Sequence, residues 1–158
     1  MDQDLKVKFM RKAIELSVKS VKIGSGPFGA VIVKDGKIVG RGENRVTHKS
    51  DPTAHAEIGA IRQAASRLKT HDLTGCTIFS SCEPCPMCLS AIYWANISEV
   101  YYACTAEDAG KVGFRDDYLY GQLAMKREDR DIKSENILRS EAQDAFRMWD
   151  NDKNKTIY

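Results

Sequence analysis

The 158-residue chain has no apolar run approaching the roughly 20 residues that a bilayer-spanning helix needs. Its opening segment, MDQDLKVKFMRKAIEL, mixes charges and has no apolar signal core, so secretion is not expected and a cytoplasmic location is. A strong excess of either charge is also missing. The 24 Lys+Arg residues against 22 Asp+Glu leave +2, which is not the footprint of a chain built mainly to grip nucleic acid, although a local patch stays open. There is no internal repeat, low-complexity tract or linker. Hydrophobic residues at 42% and charged residues at 29% are ordinary for a globular domain and argue against disorder or a collagen-like chain. An even cysteine set is lacking too: five cysteines, with no signal peptide, make a disulfide framework unexpected.

What is present reads as one α/β domain over residues 1–158. Residues 4–22 carry Phe9, Met10, Ala13, Ile14, Leu16, Val18 and Val21 in a broad apolar stripe, which predicts an amphipathic helix. Residues 28–33 and 37–41 read as strands of a hairpin turned at Asp35-Gly36. Gly29, Gly36 and Gly40 are assigned to backbone geometry rather than to phosphate binding, because the P-loop spacing is missing. A polar loop spans 43–53, then a helix over 54–68 with Thr53 as its N-cap. Further strands are expected at 76–81 and 98–104 and a helix at 86–95 with Pro86 in its first turn; a final strand is expected near 132–138 and a helix near 140–150. Residues 105–125 give no clear pattern. Trp94, Trp149, Cys76 and Cys104 are expected in the core, and His48 and His71 on the surface.

Two short segments carry chemistry: His55-Ala56-Glu57 and Pro84-Cys85-Pro86-Met87-Cys88. Zinc takes imidazole nitrogen and thiolate sulfur in a tetrahedron. Cys85 and Cys88, three apart, share a helix face, and a helix N-terminus favours the thiolate. His55 would be the third ligand, leaving one position for water. Glu57, two residues on, points elsewhere on an ideal helix and would stand beside that water as a proton shuttle. Zinc lowers the water's pKa to about 7, and a carboxylate at hydrogen-bond distance moves its proton. A closed structural site with Cys82 as fourth ligand is the plainest alternative. It leaves Glu57 without a role.

The ordered pair H-x-E…P-C-x-x-C is the signature of the zinc nucleobase deaminases. With the segments GPFGAVIV (26–33), GENRVT (42–47), DPTAHAEI (51–58), SCEPCPMCLSAIYWA (81–95), GFRDDYLY (113–120) and the terminal Tyr158, the chain resembles the cytidine deaminase-like superfamily and, within it, the bacterial guanine deaminases of the small zinc-dependent type. The resemblance implies a three-layer α/β/α sandwich around a five-stranded mixed sheet. It implies one Zn2+ per subunit with a bound water or hydroxide, held by His55, Cys85 and Cys88, with Glu57 as proton shuttle. It implies that Phe28 stacks on a purine, that Asn44 and Asp116 hydrogen-bond it, and that Tyr158 reaches the site from a partner, in a homodimer exchanging residues from about 140 to 158. The segment departs from the family at Arg115, where an acidic residue is expected, which leaves open whether Asp116 or Asp117 faces the substrate.

The activity so implied is hydrolytic deamination of guanine to xanthine and ammonia. The rivals are tRNA adenosine deamination, cytosine or guanosine deamination, and a non-catalytic zinc-stabilised binding module. The near-neutral charge and the acidic residues within 128–131 and 150–152 weigh against an RNA substrate.

Overall fold

The computed structural model describes all 158 residues, in two compact units, Met1–Tyr120 and Gly121–Tyr158. The first opens with α1 (Gln3–Lys22), capped by Asp2, whose carboxylate accepts from the Leu5 N–H at 2.8 Å. Then follow β1 (Gly29–Lys34), β2 (Lys37–Glu43), the single turn α2 (Val46–Lys49), α3 (Ala56–Leu68), β3 (Thr77–Cys82), α4 (Pro86–Trp94), β4 (Glu99–Cys104), α5 (Ala106–Lys111) and α6 (Asp116–Ala124), which runs past the boundary. The second unit adds a 3₁₀ turn at Arg127–Asp129 and α7 (Arg139–Asn151).

The strands form one mixed sheet in the order β2-β1-β3-β4. β1 is antiparallel to β2 and β3, and β3 is parallel to β4. The β1–β2 turn places Asp35 at φ 49° and Gly36 at φ 69°, the left-handed pair that matches the twist of a tight hairpin. Side chains alternate across the sheet. Val31, Val33 and Phe79 face Phe9 and Ala13 of α1, whereas Ala30, Ile32 and Ile78 face Ala56, Ala60 and Ala64 of α3 and Ile92 of α4. The result is the expected three-layer α/β/α arrangement.

The sheet has four strands, not five. Residues 132–138 are irregular, and Ile132 and Ile137, which suggested a strand, are 83% and 72% exposed. A strand persists only where a neighbour satisfies its N–H and C=O groups, and no strand of this chain pairs with the segment, so β4 remains the sheet edge. Thr53 is not the cap of α3. It donates its N–H and hydroxyl to Asp51, at 2.8 and 2.7 Å, and His55 takes the N-cap position. Trp94 and Trp149 are not core residues: α4 and α7 turn them outward, where they are 67% and 44% exposed. Cys76 is buried as expected, but Cys104, at the end of the edge strand, is exposed.

The layer between β2 and α3 is thin. A Cβ on Gly42 would sit 1.9 Å from the Ala56 carbonyl oxygen and 2.6 Å from the Ala60 nitrogen. Only glycine beneath and alanine above allow the helix to lie this close. Gly42→Ala is therefore expected to cost at least about 3 kcal/mol, lowering the thermal midpoint by roughly 6 °C or more. Gly110→Ala, where a Cβ would meet nothing within 4 Å, is the control and leaves the midpoint within about 2 °C of the parent.

Candidate active site

Two helix N-termini meet at the site. His55 is the N-cap of α3 and Cys85 the N-cap of α4, both with extended backbone, and Pro86 opens α4 with the φ its first turn needs. The loop delivering Cys85 from β3 is tied three ways. The Glu83 N–H donates to the Cys104 carbonyl at 2.8 Å, the Glu83 carboxylate accepts from the Ala106 N–H at 3.0 Å, and the Pro84 carbonyl accepts from the Tyr120 hydroxyl at 2.9 Å. One helical turn further on, Cys88 is fully buried.

The His55 Nδ1 atom lies 3.6 Å from Cys85 Sγ and 3.5 Å from Cys88 Sγ. All three donor atoms fall within 4.8 Å of one another. A tetrahedral zinc with nitrogen at about 2.1 Å and sulfur at about 2.3 Å sets such atoms about 3.6 to 3.8 Å apart, so this donor set fits the ion in kind and in spacing. Cys82 lies outside the trio: its thiol donates to the Thr105 carbonyl at 3.4 Å and burial pushes it up to about 12. The closed four-ligand alternative therefore lacks its fourth sulfur. Within the trio the protons are unequally held. The interaction with Cys88, and then a hydrogen bond from His55, bring the Cys85 thiol down to about 4 against the opposing effect of burial. The neighbouring Cys85 sulfur, together with burial, pushes Cys88 upward. His55 is raised by its hydrogen bond to Cys85. A thiolate, a thiol and an imidazole are what a divalent cation would deprotonate and bind.

Glu57, in the first turn of α3, is buried beside the trio. Its Oε1 accepts from the Ser80 hydroxyl at 3.0 Å and its Oε2 from the Cys88 thiol at 3.3 Å. Desolvation raises its pKa, outweighing hydrogen bonds from its own backbone N–H, Cys88 and Ser80.

A cavity of about 250 Å³ opens over these groups. His55, Glu57, Cys85, Phe28, Asn44 and Asp116 all line it, so six of the eight residues singled out in the sequence share one space. Cys88 lies behind the wall, within reach of His55. Phe28 meets Phe114 edge-on, with ring centroids 4.6 Å apart. The buried Asn44 accepts from the Val46 N–H through Oδ1 at 3.2 Å, which leaves its amide NH₂ to donate. Asp116, at the start of α6, is raised chiefly by desolvation and then by the Cys85 sulfur. Asp117, one position on, instead lines a separate surface depression with Arg115, which lies over the Tyr118 ring at 4.1 Å. Tyr158 ends the second unit and is exposed. Sequence reasoning overlooked Glu83 and Phe114 on the cavity wall and Ser80 behind Glu57. The first two lie inside the quoted segments SCEPC and GFRDD, whereas Ser80 carries no local signal.

Residues 3–104 match the family described as the cytidine and deoxycytidylate deaminase zinc-binding region. Over 151 residues the chain is 45% identical to the guanine deaminase of Bacillus subtilis (strain 168), covering 95% of this chain and 97% of that one. An X-ray structure of guanine deaminase from Bacillus subtilis matches with a TM-score of 0.93 at 43% identity, covering 100% of this chain and 99% of that one. The tRNA-specific adenosine deaminase of Haemophilus influenzae is 40% identical over 116 residues, which cover 70% of this chain and 67% of that one. The zinc-spaced trio, the carboxylate beside it and the family match over both helix N-termini carry one conclusion: the chain belongs to the cytidine and deoxycytidylate deaminase zinc-binding family.

Proposed function

We propose that this protein is a zinc-dependent guanine deaminase, hydrolysing guanine with one water to xanthine and ammonia in the breakdown of purines. The observation that carries the reading is the convergence, in one cavity, of a zinc-compatible donor set, a buried carboxylate and walls of Phe28, Asn44 and Asp116. Similarity along nearly the whole chain to the Bacillus subtilis guanine deaminase supports the choice of base.

His55, Cys85 and Cys88 would hold the zinc, one per subunit. When bound, the zinc supplies Lewis-acid chemistry, bringing the pKa of a water down to about 7. Glu57 takes the water's first proton and delivers it to ring N3 as oxygen adds to C2; it then takes the remaining proton of that oxygen and passes it to the amino group, and the C2–N bond breaks to release ammonia and leave the C2 carbonyl of xanthine. Desolvation matters to this role: burial raises the carboxyl above the ordinary carboxylate range, so it holds an acquired proton more firmly than an exposed carboxyl does. Asn44 donates its amide NH₂ to an acceptor of the base, Asp116 pairs with a polar ring edge, and Phe28 stacks on the purine face, with Phe114 bracing it edge-on. Polar groups buried this way reject a base that leaves them unpaired.

The proposed working form is a cytoplasmic homodimer of this single deaminase domain in which residues of about 140–158 are exchanged and the partner's Tyr158 completes the cavity. In support, α7 leaves Phe146 and Met148 exposed, and α4 leaves Tyr93 and Trp94 exposed, large apolar surfaces of the kind that partners cover.

Three outcomes test these statements. In a panel of guanine, guanosine, adenosine and cytosine, guanine releases ammonia fastest and a chelator abolishes the release; preference for adenosine within an anticodon stem-loop RNA would overturn the reading. Glu57→Gln retains about one zinc per chain by elemental analysis while kcat falls by at least about 10²-fold; turnover near the parent rate would remove the shuttle assignment. Deleting the last few residues through Tyr158 leaves zinc content unchanged and cripples deamination; unchanged kinetics would refute the tail-completed site.

A further inference from the structure

We infer that Ser80 is a positioning residue that fixes which oxygen of Glu57 faces the reacting atoms. The inference rests on the shuttle role proposed for Glu57. Ser80 sits on β3, an interior strand, in register with Ala30 of β1 on one side and Tyr102 of β4 on the other. Its backbone is held from both sides, and its side chain is buried. The neighbouring Ser81 serves a different partner, accepting from the Gly29 N–H at 3.0 Å. Ser80 turns its hydroxyl to Glu57 and donates to Oε1 at 3.0 Å.

The two carboxylate oxygens are thus unequal. Oε1 is bound to a group of the rigid sheet. Oε2 lies on the other side, toward α4 and the trio, 3.3 Å from the Cys88 sulfur. A carboxylate with one oxygen so bound is held against rotation about its terminal bond, a torsion that is otherwise broad. Oε2 is then the oxygen that receives and returns the proton, always in one orientation. Without the Ser80 hydroxyl the carboxylate plane is no longer fixed, and the oxygen facing the trio spends less time in the orientation that the chemistry needs. The donor comes from the sheet, whereas Glu57 rides on α3, so Ser80 also ties the carboxylate to the strand that leads to Cys85.

The test compares Ser80→Ala, Ser80→Cys and Glu57→Gln in the full chain. Ser80→Ala is expected to keep its zinc, to lose several degrees of melting temperature because Oε1 is left unpaired, to leave KM for guanine within twofold, and to lower kcat per zinc about tenfold or more. Ser80→Cys, which keeps the volume with a weaker donor, falls between; it decides the matter if the alanine variant does not fold. A second readout needs no turnover. The Glu57 carboxyl band, identified in the infrared by difference against Glu57→Gln, moves in Ser80→Ala. An unmoved band, or parental kcat in both Ser80 variants while Glu57→Gln is inactive, overturns the positioning role and leaves the shuttle standing. Parental kcat in Glu57→Gln overturns the shuttle itself. A fall in stability and zinc content with kcat per zinc unchanged assigns Ser80 to packing and likewise overturns the role.

Discussion

The closeness of α3 to β2 is the constraint on which the rest depends. Gly42 has no Cβ and the helix shows it Ala56 and Ala60, so the first turns of α3 lie directly against β2. That places His55 within 3.6 Å of both cysteines of α4. A side chain inserted between helix and sheet would lift His55 and Glu57 together, because they sit on the same first turn. Metal fit and carboxylate placement are therefore one geometric property of the β2–α3 layer. The packing residues that secure it touch no ligand.

The helix N-termini add an electrostatic reason for the arrangement. Unpaired N–H groups there favour negative charge, which suits the thiolate at Cys85 and a carboxylate at Glu57. Burial works against both. For Cys85 the interactions with Cys88 and His55 win, and the thiol is acidic. For Glu57 desolvation wins, and the carboxyl is raised. The same pair of opposing effects, at two helix starts a few ångströms apart, thus yields one group suited to bind a cation and another suited to exchange a proton.

What the sequence revealed was local. The Asp35-Gly36 hairpin follows from two adjacent residues, and the x-x spacing in Cys85-Pro86-Met87-Cys88 fixes a helix face regardless of the remainder of the chain. The two halves of the metal trio were legible because each half is short, and only their meeting needed the fold. The misreadings concern what a residue meets at long range. Residues 132–138 read as a strand in isolation, but a strand is a property of a pair, and none is paired here. Trp94 has the composition of a core residue on a helix whose other face does the packing, through Cys88 and Ile92. Asp116 and Asp117 cannot be told apart by type; the start of α6 sends the first to the cavity and the second to a different depression. Ser80, 23 residues from Glu57, reads only as a polar residue in a strand until the two are seen at 3.0 Å.

Ser80 also explains how the fold tolerates a carboxylate in its interior. A buried carboxyl with an unpaired oxygen costs several kcal/mol by order of magnitude. Two donors are supplied instead, one from the sheet and one from α4, so each oxygen has a partner. They differ in permanence. The serine hydroxyl keeps its proton under all ordinary conditions, whereas the thiol gives its proton up on ligating a metal. A metal held by Cys88 would leave Oε1 on Ser80 while removing the partner of Oε2. Folding and activity then make different demands on Cys88, and one residue meets both because its proton is removable.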